Sequence, residues 1–254
     1  MRRPSINSIN KLSFEQIRGR ITKTIKEGIQ LNMSTEESKK LLRRYVNSKT
    51  NLMIMFVDIN NSTEMSLTLT EKKFALVVQT FAQEISSAVL AYGGYVFKYE
   101  GDAVIALFPA EHHPMKVCKK ALNCSTAILE IIRGAINPIF ETNGLPEITV
   151  RIGLAYGHAL VVLYGKSLEK SYIDILGSSI SLASKIASIA QPNQILVGEF
   201  VYNILKSSSA SSSFREIDLD PSKWKYLSRS DPHSMYHVYE FLVNLSADSS
   251  SNRI

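Results

Sequence analysis

The sequence predicts an α+β domain whose core follows the order βαββαβ. Three observations lead there. LMIMFVDI, from Leu52 to Ile59, is a continuous apolar run of strand length, the mark of a strand buried on both faces. Phe74, Val77, Val78, Phe81, Ile85 and Val89 then recur at three- and four-residue spacing, the period of an amphipathic helix. GYVFKYE and AVIALF flank Gly101-Asp102 as the two arms of a hairpin.

Taken in order, residues 1–48 read as a basic helical arm with two helical stretches, the second opened by Ser34-Thr35-Glu36-Glu37 at capping-box spacing before Leu41 and Leu42. The charges of this arm read as a solvated helix face, with packing on a partner as the other reading. A single core domain is assigned to residues 49–245. In it Thr70 is placed to cap the first core helix, and Gly93-Gly94 stops it. A second helix is marked by Val117, Ala121, Cys124, Ile128, Ile131 and Ile132, and ITVRIGLAYG follows as a strand. That completes a split βαβ, ferredoxin-like arrangement, with an antiparallel sheet backed by two helices. YIDILG, a helix from about Ser179 to Ala190, QILVG and MYHVYEFL extend it toward the C-terminus. The Ser-rich stretch from Lys206 to Ser213 reads as a loop, and residues 246–254 as a Ser-rich tail.

Bulk properties narrow the class. A chain of 254 residues, 45% hydrophobic, buries a sizeable core and is not disordered as a whole. The net charge of +6 suits a nucleotide, a nucleic acid or an anionic surface without choosing among them. Cys118 and Cys124 lie six apart in a helical pattern, which suits neither a local disulfide nor a metal pair and points to a reducing compartment. No apolar run reaches the roughly 18 to 20 residues of a membrane span, and Met-Arg-Arg-Pro opens no signal peptide, so a cytoplasmic protein is expected.

The chemistry gathers on two acids. Asp58 ends the first strand and Asp102 sits at the hairpin tip, so this fold brings them to adjacent strands. Two such carboxylates seat two Mg²⁺ or Mn²⁺ ions, hard cations that prefer oxygen and leave positions open for phosphates. After Asp58, the turn Asn60-Asn61-Ser62-Thr63 offers backbone N–H groups to phosphate oxygens where the next helix begins.

FVDINNST, then FKYEGDAVIALF, RIGLAYG and YIDILGSSISLASKI, in this order over residues 50 to 205, resemble the class III adenylyl and guanylyl cyclase catalytic domain. The resemblance implies that Asp58 and Asp102 hold both metals, with the Ile59 carbonyl as a further ligand. It places the purine-selecting pair on Lys98 and Asp174, the adenylyl combination, where guanylyl enzymes usually carry Glu and Cys. It implies a homodimer with sites shared between chains, acting on a nucleoside triphosphate and not on nucleic acid, with ATP the expected substrate.

Two positions depart from the family. Ser181 and Lys185 stand where it has Asn and Arg to orient the ribose and steady the pentavalent phosphorus. Lys keeps the charge but not the planar fork, and Ser is shorter than Asn by an amide. The departures keep two other readings open: a cyclase making cCMP, cUMP or cGMP, pyrimidine products being known among antiphage relatives, or a non-catalytic pseudocyclase dimer. Retention of both metal acids argues against the pseudocyclase. For the cation that grips the triphosphate the sequence offers Lys223, Lys225 and Arg229 without choosing.

Overall fold

The computed structural model describes residues 13–28, 35–110, 112–167, 170–207, 213–228 and 230–243. In chain order these form α1 (Phe14–Glu27), α2 (Glu36–Arg43), β1 (Lys49–Ile59), α3 (Ser62–Thr68), α4 (Glu71–Ala91), β2 (Tyr95–Glu100), β3 (Ala103–Pro109) and α5 (Pro114–Ile131). A π-helical turn (Ile132–Ile136) leads to α6 (Asn137–Thr142), β4 (Val150–Tyr164), β5 (Tyr172–Leu176), α7 (Ser178–Ile189), β6 (Gln194–Gly198), α8 (Glu199–Leu205), β7 (Phe214–Glu216) and β8 (Val238–Phe241). The Ser-rich tail, Ser34 of the expected capping box and Arg229 lie outside the described residues.

The expected βαββαβ core is present. Its strands stand in the order β2-β3-β1-β4, and β6, β8 and β7 continue one eight-stranded mixed sheet while β5 pairs with β4. β1 sits at the centre, antiparallel to both β3 and β4. Its unbroken apolar run serves two cores. Met53, Met55, Val57 and Ile59 face α4 and α5, whereas Leu52, Ile54 and Phe56 face the side covered by α7, α2 and Trp224. The second face is therefore covered too, by elements that follow and precede the core.

Local chemistry fixes the ends of α4. The Thr70 hydroxyl accepts from the Lys73 N–H at the N-terminus. At the other end Gly93 (φ +78°) and Gly94 donate to the carbonyls of Leu90 and Val89, a Schellman stop. By length and composition α4 is apolar enough to cross a membrane, contrary to the sequence expectation that no segment is. Half of that stretch packs inside the domain, where Val77, Phe81, Ile85 and Val89 are buried.

The arm is not merely a solvated face. Ile17 and Ile21 of α1 are buried with α4, and Arg20 spans to the buried Glu84 carboxylate at 2.6 Å. Burial raises the pKa of Glu84 and the guanidinium opposes that rise. Pro138 lacks the N–H that would reach the Gly134 carbonyl four residues back, so the helix widens into its π turn there. Arg18 takes up the freed carbonyl at 2.7 Å. Cys118 and Cys124 are both free and buried; burial pushes the Cys118 thiol up to about 12 and Cys124 further in the same direction, so neither is a ready nucleophile.

Candidate active site

Antiparallel register determines what meets at the centre of the sheet. Asp58 stands opposite Ala103 on one side and Arg151 on the other, and Ala103 stands opposite Glu100. Residues directly opposite in a ladder share a face, so Arg151, Asp58 and Glu100 line one row. Asp102 precedes Ala103 at the turn made by Gly101 (φ +61°), which brings its carboxyl to that of Asp58. The two acids therefore come together as their sequence positions predict.

A β-bulge at Phe97 adds Lys98 to this face. Val96 pairs with Ala106, but Lys98 rather than Phe97 pairs with Ile105, so one extra residue is inserted. Without it Lys98 would project into the core beneath α4. With it the ammonium reaches Glu100 at 3.1 Å and Asp174 on β5 at 3.5 Å. Burial alone lowers the Lys98 pKa. The Glu100 hydrogen bond and the charges of Asp174, Glu100 and Tyr172 more than offset it, so the net shift is upward and the ammonium is held charged.

The acid pair is electrostatically unbalanced. Burial first, then the neighbouring Asp102 charge, pushes Asp58 up to about 6, although Arg151 at 2.5 Å pulls the other way. Asp102 Oδ2 and Arg151 Nε are buried without a hydrogen-bond partner among the described residues. The orphaned Asp102 oxygen beside a second carboxylate is an acceptor that a divalent cation satisfies, and oxygen ligands suit Mg²⁺ or Mn²⁺. Among the described residues no cluster of three or more His, Cys, Asp or Glu is placed to hold a metal.

The other predicted residues are placed as follows. Asn60 already donates its N–H to the Thr149 carbonyl and is spent as a phosphate donor. Asn61, in the left-handed conformation (φ 58°), stands at the N-cap position of the seven-residue α3 without a side-chain cap hydrogen bond among the described residues, and the first turn carries Ser62 and Thr63. Ser181 and Lys185 share one exposed face of α7, as their spacing predicts, and Lys185 meets no carboxylate among the described residues. Lys223 and Lys225 are exposed on either side of the buried Trp224. Arg151 and Glu100 had no role assigned from sequence. The signal for Arg151 was a lone cation on a strand buried along most of its length; for Glu100, a spacing of two from Lys98 on one strand.

β4 and β5 form a hairpin one of whose faces is exposed and apolar. Leu160 pairs with Leu176 and Tyr164 with Tyr172, all four exposed, and Asp174 stands between them on the same face. A cavity of about 710 Å³ opens elsewhere, at the start of α5 by His113 and Lys116, and no residue of the acid or base-facing groups lines it.

The fold and site define a class, and comparison with known proteins agrees. The model of the adenylate and guanylate cyclase catalytic domain family matches residues 44–236. The chain belongs to that family and is a nucleotide cyclase catalytic domain. It is 28% identical over 169 residues to a cytidylate cyclase of Staphylococcus aureus, a match covering 65% of this chain and 39% of that protein. It is 27% identical over 157 residues to adenylate cyclase type 10 of Rattus norvegicus, covering 57% of this chain and 9% of that protein. The chain thus spans well under half the length of these curated relatives. Among solved structures, the adenylyl cyclase CyaB from P. aeruginosa superposes with a TM-score of 0.63 at 20% identity, over 82% of this chain and 98% of that one. The guanylyl cyclase Cya2 gives 0.64 at 16% identity, over 80% and 98%. These two likenesses bear on the fold.

Proposed function

We propose that this chain cyclises an adenine or cytosine nucleoside triphosphate, ATP first, to the 3′,5′-cyclic monophosphate and pyrophosphate, as a homodimer. The observation that carries the reading is the Asp58–Asp102 pair, whose mutual repulsion a divalent cation relieves. Asp58, Asp102 and the Ile59 carbonyl would hold two Mg²⁺ or Mn²⁺ ions. When bound, such ions supply activation of the ribose 3′-hydroxyl and neutralise charge on the attacked phosphate and the leaving pyrophosphate. Arg151, which pairs with Asp58, is the guanidinium beside the acid pair and would offer its charge to the triphosphate. Thr63 and Ser62 offer N–H groups at the start of α3, and one of Lys223, Lys225 and Arg229 is the further candidate cation. Ser181 and Lys185 approach the ribose and phosphate from an exposed helix face.

The exposed Leu160, Tyr164, Tyr172 and Leu176 around Asp174 support a site completed by a second copy, since an exposed apolar face calls for a covering partner and Asp174 lies within it. A second reading, CTP, rests on the base edge. Adenine and cytosine both present a ring-nitrogen acceptor beside an exocyclic amine, and a Lys donor beside an Asp acceptor answers either. The test is direct: purified protein, Mn²⁺ and each of the four NTPs, with the product identified by mass. cAMP supports the first reading and cCMP the second. No cyclic product from any NTP sinks both.

A further inference from the structure

We infer that Glu100 is a positioning residue that sets base selectivity, holding the Lys98 ammonium so that Asp174 stays open to an exocyclic amine. This deepens the reading above and rests on it. The Phe97 bulge puts Lys98 and Glu100 on one face of β2, two residues apart. Of the two carboxylates that meet the ammonium, Glu100 is the nearer, at 3.1 Å against 3.5 Å for Asp174. Asp174 Oδ1 also accepts the Ile175 N–H at 2.8 Å, whereas its Oδ2 accepts no hydrogen bond among the described residues. The group is one donor flanked by two carboxylates, with Oδ2 of Asp174 still open among the described residues.

The role follows from what Lys98 would do without Glu100. An ammonium has three donors and no acceptor, so alone beside Asp174 it settles into a closed ion pair. The carboxylate is then capped by charge, and a base must break that pair before either member reads it. Glu100 supplies the competing partner. It leaves Lys98 charged and aimed, with a spare donor for a ring nitrogen, and confines the contact with Asp174 to Oδ1, so that Oδ2 remains an open acceptor.

Selectivity comes from the order of groups on the base edge. Adenine and cytosine offer acceptor then donor, whereas guanine and uracil offer a ring N–H beside a carbonyl, the reverse. The open Oδ2 of Asp174 repels that carbonyl. An Asp174 capped by Lys98 presents an ammonium to it instead, so loss of Glu100 weakens binding of the amino bases and eases that of the oxo bases. Glu100 is half exposed, with a side-chain exposure of 54%, so its replacement leaves the core intact.

The experiment measures binding without turnover. Calorimetry with Mn²⁺ and the 3′-deoxy analogues of ATP, CTP, GTP and UTP, which have no hydroxyl to cyclise, is run on the wild-type chain and on Glu100→Ala and Glu100→Gln. The expected result is a wild-type preference for the amino bases that falls about tenfold in Glu100→Ala, the scale of one misplaced charged hydrogen bond, with an unchanged melting temperature. Glu100→Gln, which keeps a carbonyl acceptor for the ammonium, retains most of the preference. A Glu100→Ala preference within about twofold of an amino-selective wild type overturns the role of Glu100 and leaves the base-reading pair standing. A wild type that binds all four analogues alike overturns the base-reading assignment and this role with it.

Discussion

The two charged groups on the working face of the sheet differ in how far each satisfies itself. Where β1 meets β3, two carboxylates lie together and the one guanidinium pairs with Asp58 alone, leaving a buried oxygen of Asp102 without a partner among the described residues and Asp58 pushed up to about 6. At the β2–β5 edge Lys98 and its carboxylates form a settled network in which the cation stays charged. The first group demands a ligand; the second waits and discriminates. A site that must bind metal and phosphate tightly yet choose among bases differing by one edge needs both kinds, because charge supplies affinity and hydrogen-bond order supplies selectivity.

The acid pair should give the largest effect. Asp58→Ala or Asp102→Ala is expected to lower cyclisation by about a thousandfold or more, as several kcal/mol of charge stabilisation disappear. Stability should move the other way for Asp102→Asn. Removing one of two repelling charges should raise the metal-free melting temperature by a few degrees, whereas Asp58→Ala leaves Arg151 without its partner and should not. A fall in melting temperature for Asp102→Asn would contradict the imbalance.

At the selective edge, Lys98→Glu with Asp174→Cys should change the ATP-to-GTP preference by about ten- to a hundredfold, since mismatched base-edge hydrogen bonds cost ~1 to 3 kcal/mol. An unmoved preference, measured as the ratio of kcat/KM values, would mean another surface reads the base.

Acidity separates the edges as well. Because folding raises Asp58 from 3.8 to about 6, the metal-free native state holds this proton more tightly than the unfolded chain. Its contribution to metal-free stability is therefore present at low pH and lost as pH rises through that window. Mn²⁺ competes with the same proton, so affinity should be flat above about pH 6 and fall about tenfold per unit below it. Titration of Mn²⁺ followed by electron paramagnetic resonance checks this, and a flat profile down to pH 5 would remove the assignment. The α7 departures predict a similar but separate change: Ser181→Asn with Lys185→Arg should raise kcat about tenfold if they are losses, because a planar fork holds two transition-state oxygens. A lower kcat would mark them as adaptation to another nucleotide.

What was legible in the sequence was whatever local chemistry fixes. The β1 run declares its two buried faces, Thr70 and Gly93-Gly94 declare the ends of α4, and Gly101-Asp102 declares the hairpin that carries an acid to its partner. What was not legible depends on register. Nothing in GYVFKYE announces that Phe97 is the extra residue, yet that bulge decides which face Lys98 joins. Arg151 becomes a partner of Asp58 only once β4 is aligned on β1, and Arg18 finds Gly134 only once α1 docks. The expected β4 ended at Gly157, but pairing with β5 carries it on to Tyr164.

The smallest expected departure from wild type is also the test of how the two edges are assembled. If the acid pair of one protomer works with the base-facing residues of its partner, a twofold dimer holds two equivalent mixed sites. An Asp58→Ala chain lacks the acid half of both sites in its own homodimer, and a Lys98→Ala chain lacks the base half, so each alone should be nearly inactive. In the heterodimer both lesions fall into one site. The other takes its acids from the Lys98→Ala chain and its base-facing residues from the Asp58→Ala chain, and is intact. Activity of isolated heterodimers, purified through two different tags, should then return to about half of wild type per dimer, provided the sites turn over independently. Heterodimers that stay inactive would place both edges of a site within one chain. The exposed Leu160, Tyr164, Tyr172 and Leu176 would then need another partner, and the unbalanced acid pair would have to meet the base-facing network across its own sheet.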